Sequence, residues 1–66
     1  MATYSYRRTN GGVLEQVEAD TIIDAFQLAL DHLMSGEAEP VSIAGAGMEF
    51  DQLAIYRVYR HVRASP

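Results

Sequence analysis

The chain has no cysteine and no lysine, and none of its apolar runs is long enough to cross a membrane. Without thiols there is no disulfide staple, no thiolate nucleophile and no cysteine-based zinc site, a composition that fits a reducing cytoplasm. Without lysine every cation is an arginine, a planar fork suited to bidentate pairing or to stacking on a ring. The start Met1-Ala2-Thr3-Tyr4 lacks the layout of a signal peptide, so the chain reads as a soluble, unprocessed cytoplasmic protein with no membrane contact. Its 66 residues fill a single compact domain, too small for a nucleotide-binding half joined to a substrate half. Ordering such a chain costs on the order of 100 kcal/mol of conformational entropy. Nearly all of the 48% hydrophobic residues are therefore needed for one core, which leaves little surface for catalytic machinery.

What is present is segregated charge. The net charge of -4 hides +5 at the two ends and -9 between them: Arg7 and Arg8 precede residue 13, Arg57, Arg60 and Arg63 come after residue 51, and all nine acids lie in between. Either the acidic and basic segments neutralise one another across the folded surface, or the separation serves a partner.

Residues 2 to 9 alternate Tyr4 and Tyr6 with Thr3, Ser5 and Arg7, the period of a strand. Asn10-Gly11-Gly12 supplies a turn, and Val13 to Ala19 resumes as the second arm of a hairpin, with Val13 and Val17 on one side. Thr21 stands three residues ahead of Asp24 and predicts a capped helix start, with Asp20 adding negative charge near the positive end of the dipole. Ile22, Phe26, Ala29, Leu30 and Leu33 form one apolar stripe, and Ser35-Gly36 offers a left-handed stop. Val41 to Ala44 reads as a third strand, followed by a permissive Gly45-Ala46-Gly47. The last segment reads two ways. Ile55, Val58, Tyr59 and Val62 have helical spacing, but the density of β-branched and aromatic types over residues 52–63 favours a strand. The expected fold is α+β, ββαββ, with one helix on a four-stranded antiparallel sheet unless the last segment is itself helical, and a frayed tail at residues 64–66.

No catalytic constellation emerges. His32 and His61 lack the spacing of a helical metal pair and read as ordinary surface histidines, and no serine lies in a Gly-x-Ser-x-Gly elbow. Gly45-Ala46-Gly47 fails as a phosphate loop because Phe50 stands where a third glycine is needed and Glu49 and Asp51 would repel an anion. Neither a cofactor nor a metal is implied, and an enzyme is the class least supported.

Two binding surfaces remain. Opposite the apolar stripe, the helix carries Asp20, Asp24, Leu28 and Asp31, and Glu37 and Glu39 extend the acid beyond its end. Carboxylates on a rigid helix can meet the arginines and lysines of a nucleic-acid-binding protein much as phosphates would, with Leu28 as an apolar anchor. Alternatively, Arg7 on the first strand and Arg57, Tyr59, Arg60 and Arg63 on the last interleave guanidinium groups with rings, a platform for RNA or DNA if the two strands are neighbours.

Val17-Glu18-Ala19-Asp20-Thr21, running into Ala25, Ala29 and Leu33, resembles the strand-to-helix junction of small phage-encoded proteins, among them the α+β anti-CRISPR inhibitors. That resemblance implies a noncatalytic inhibitor of a basic CRISPR effector subunit in a host cytoplasm. Ala29 to Gly36, followed by Met48-Glu49-Phe50, resembles the helix end and hairpin of the lambda-type head-tail joining proteins, which implies a phage assembly subunit. The leading expectation is a noncatalytic protein-binding module, monomeric or homodimeric, that presents its acidic helix face to a basic protein. Nucleic-acid binding and a structural role are the alternatives.

Overall fold

The computed structural model describes residues 1–64, and residues 65–66 of the expected tail lie outside the described residues. Along the chain come β1 (Ala2–Arg8), β2 (Leu14–Ala19), α1 (Ile22–Ser35), β3 (Ala38–Gly45), β4 (Met48–Asp51) and α2 (Gln52–Ala64). The strands form one antiparallel sheet in the order β2-β1-β3-β4. The fold is therefore α+β with two helices. The expected strand over residues 52–63 is overturned: the fourth strand is Met48–Asp51, and the segment after it is the helix α2. The cause is local. Asp51 closes the strand and caps the helix, its Oδ1 accepting from the Ala54 amide at 2.9 Å, and from there the 3.6-residue spacing of Ile55, Val58, Tyr59 and Val62 prevails over β propensity.

The sheet has a covered and an open face. Register places Val17, Tyr4, Ile43 and Phe50 in one row across all four strands, and both helices lie on that side. Ala25 and Ala29 of α1 and Ile55 of α2 share a single core with Ala2, Tyr4, Tyr6, Ala38 and Ile43. Phe26 and Phe50 meet edge to face with ring centroids 5.1 Å apart. On the open face Thr3, Ser5, Ser42 and Ala44 line up between Gln16 and Glu18 of β2 and Glu49 and Asp51 of β4, a small and polar surface.

The capping expectations for α1 are met. The Thr21 hydroxyl accepts from the Asp24 amide at 3.1 Å, and Gly36 ends the helix in the left-handed conformation at φ 77°, its amide donating to the His32 carbonyl at 2.8 Å. The buried centre of α1 is not the expected one. Ala25 and Ala29 are fully buried, Ile22, Phe26 and Leu33 flank them, and Leu30 is only half-buried. Two small residues let the helix settle close to the sheet, where Tyr4 and Ile43 supply the volume.

Gly45 belongs to β3 rather than to the turn, paired with Ala2 and Met48, and a Cβ there would come within 2.8 Å of the Met1 carbonyl oxygen. The β3–β4 turn is Ala46-Gly47, both at positive φ (53° and 74°), the pattern of a type I′ hairpin. An alanine in this region is strained by roughly 1 kcal/mol, and asparagine is better suited. Ala46→Asn is therefore expected to raise the unfolding free energy by about 1 kcal/mol in urea titration; an unchanged or lower midpoint would contradict the turn assignment.

Candidate protein-interaction surface

The burial of α1 decides what it shows to solvent. With Ala25 and Ala29 against the sheet, the opposite side carries Asp24, Gln27 and Asp31, continues to Asp20 just before the helix, and is bordered by Leu28 on one flank and Ile23 and Met34 on the other. Ile23 and Met34 are 71% and 70% exposed, Leu28 37%. All three aspartates are exposed, and among the described residues no ion pair reaches them. The one salt bridge among the described residues is Arg8–Glu15 at 3.0 Å, away from this face.

The expected patch is only partly assembled. Glu37 comes directly after Gly36 at the end of α1, its backbone engaged by Thr9 through the Thr9 amide and hydroxyl. Glu39 lies in β3 between buried Ala38 and Pro40, so strand alternation turns it to the open face of the sheet, opposite Arg7. It is not part of the helix surface.

The arginines are divided between two sides of the molecule. Arg7 is on the open face, its Nη1 donating to the Gly12 carbonyl at 3.0 Å. Arg57, Arg60 and Arg63 are exposed on α2. The neighbours of β1 are β2 and β3, so the expected platform of first and last strands side by side does not exist. Within α2, Arg63 donates to the Tyr59 hydroxyl at 3.2 Å and lies 5.6 Å from its ring centroid, a cation–π contact. The outward side of α2 combines Arg57 and Arg60 with Leu53, which is 57% exposed.

No protein-family model, curated protein or solved structure matches this chain. Its reading therefore rests on the arrangement of its own side chains.

One polar cluster escaped the sequence reading. His32 is not a surface residue: it is half-buried, its Nδ1 hydrogen-bonded to the Tyr4 hydroxyl at 2.9 Å and its ring 4.7 Å from that of Tyr6. The Tyr6 hydroxyl donates to Glu15 Oε1 at 2.8 Å, and Arg8 Nε donates to the same oxygen at 3.0 Å. The available signal was pairing, since Glu15 stands directly opposite Tyr6 in the hairpin, and His32 continues the row of Ala25 and Ala29 at helical spacing. Together these contacts fasten the C-terminal half of α1 to the β1–β2 hairpin. No group of three His, Asp or Glu among the described residues is placed to hold a metal.

The hydrogen bonds from Tyr6 and then Arg8 hold the Glu15 carboxyl below its ordinary value, against an opposing effect of desolvation. Burial, reinforced by Tyr6 and Tyr56, pushes the Tyr4 phenol above its ordinary value. The signs give both limbs of a pH profile. A lowered carboxyl stabilises the fold above its ordinary value of 4.5 and loses that contribution as pH falls through the lowered one. A raised phenol favours the fold below its ordinary value of 10.0 and loses that contribution as pH rises toward the raised one. Glu15→Gln is expected to flatten the acid limb of the melting temperature against pH, and Tyr4→Phe the alkaline limb; limbs of unchanged slope would show that these groups do not control stability.

Proposed function

We propose that the protein is a noncatalytic binding module whose α1 face, Asp20, Asp24 and Asp31 with Leu28, Ile23 and Met34 beside them, engages a basic, partly apolar surface of another protein. The observation that carries this reading is that the three aspartates are exposed and, among the described residues, unpaired although Arg57 and Arg60 stand on the other helix of the same chain. An isolated exposed ion pair is worth about 0–1 kcal/mol. Several carboxylates in a row, partly desolvated by apolar neighbours when a partner docks, give more and also steer the encounter. The nucleic-acid-binding face of an effector protein has the required chemistry, which is the role implied by the resemblance to anti-CRISPR inhibitors.

An arginine-rich amphipathic peptide, monitored by fluorescence anisotropy, is expected to bind more tightly at low salt. Asp24→Arg with Asp31→Arg is expected to weaken that binding by about tenfold or more, equal to about 1.4 kcal/mol, with the native circular dichroism retained. Equal binding by the double variant would overturn the proposal.

A second reading, nucleic-acid binding by α2 alone, is favoured by the acid-free arginine row Arg57, Arg60 and Arg63. It calls for salt-sensitive retention of labelled RNA or DNA that is lost in Arg57→Ala with Arg60→Ala; no retention at low salt would dispose of it.

A further inference from the structure

The two helices form a layer on one side of the sheet and touch one another, yet their outward faces differ in sign. Residues 13–51, which include α1, contain no Arg or Lys, and residues 52–64, which make up α2, contain no Asp or Glu. On each helix the charges are accompanied by exposed apolar side chains: Ile23, Leu28 and Met34 on α1, and Leu53 on α2. The inner stripe of α2 is itself incomplete. It is fully buried at Ile55 but 51% exposed by Val62, so its last turns lack the packing that stabilises a short amphipathic helix.

We infer that the surface meeting α1 is α2 of a second copy of this chain, in a two-fold dimer that stacks helix layer on helix layer. A rotation by half a turn about an axis in the plane between the two layers, running along the seam between α1 and α2, puts α2 of each copy over α1 of the other. The carboxylates of α1 then face the guanidinium groups of α2 twice over, and Ile23, Leu28 and Met34 of α1 and Leu53 of α2 are covered. Stacking α1 on α1 would instead oppose carboxylate to carboxylate. The helices match in length, 14 and 13 residues, or about 20 Å each. The molecule is a slab of 31 × 31 × 18 Å, whose broad helical side can supply the roughly 800 Å² per partner of a standard interface.

A need for such packing is built into the chain. Half of the eight buried core hydrophobics are alanines, and there is no disulfide. Domains this small commonly gain stability by oligomerising. The open face of the sheet offers mainly small polar residues, with Leu14 at the end of β2, so it competes poorly for this role. The inference rests on the reading that α1 is the binding face and names a partner for it, with which any foreign basic protein must then compete.

Sedimentation velocity over a concentration series is the test. The wild-type chain is expected to move from 7.3 kDa to twice that mass and to dissociate at high salt. Asp24→Arg with Asp31→Arg, and separately Arg57→Glu with Arg60→Glu, are each expected to weaken dimerisation by about tenfold or more while circular dichroism stays native. Mixing the two double variants is expected to restore a species of twice the monomer mass, because the two swapped faces match each other at one contact and the two native faces meet at the other. A wild-type chain that is monomeric at every concentration would overturn the inference, as would a mass that keeps growing past two copies or a dimer indifferent to both double variants. The α1 reading fails separately: if the aspartate variant binds the arginine-rich peptide as the wild type does, that reading falls whatever the oligomeric state.

Discussion

The close seat of α1 on β1 and β3 is the constraint on which the other features depend. Ala25 and Ala29 present almost no side chain to the sheet, so Tyr4 and Ile43 fill the space beneath and the helix has one low-lying orientation. That orientation turns His32 toward Tyr4 and Tyr6, Phe26 toward Phe50, and Asp24 and Asp31 to solvent. A helix resting on larger side chains would be lifted and free to roll, and the aspartates would lose their common face. The polar cluster at His32 acts in the same sense from the other end, linking α1 to the hairpin through partners that satisfy one another.

Charge on this molecule is used sparingly inside and kept apart outside. Glu15 receives both Tyr6 and Arg8, a local arrangement within one hairpin, while the aspartates of α1 and the arginines of α2 are left without ion-pair partners among the described residues. Because exposed pairs contribute little, leaving them unmade costs the monomer almost nothing and keeps both surfaces available for a partner. The fold thus turns a sequence-level separation of acids from arginines into two helices of opposite sign, side by side on one face of the sheet.

Much of this was legible in the sequence where a residue's role is set by its neighbours along the chain. Thr21, Asp24 and Gly36 marked the ends of α1 through capping chemistry, and the alternation of Tyr4 and Tyr6 marked β1. Failures came where tertiary context decides. Residues 52–63 carry strand-favouring types at helical spacing, and the cap from Asp51 tipped them to helix. Leu30 looked like core because it is large, whereas Ala25 is core because it is small and lets the helix approach. Glu39 seemed contiguous with the helix acids until the start of β3 at Ala38 turned it to the other side of the sheet. His32 could be placed only once the hairpin register had brought Glu15 opposite Tyr6. The aspartates of α1 were found by periodicity alone, since exposure on a helix is set directly by what its other face buries.

The proposed association runs through the helical layer and not through the sheet. Amide chemical shifts of the isotope-labelled full chain, recorded from dilute to concentrated solution at low salt, test it directly. The moving signals are then expected to fall in α1 and α2, around residues 20–35 and 53–63, with Thr3, Ser5 and Ser42 on the open sheet face unchanged. Shifts confined to that open face, or none at any concentration, would contradict it.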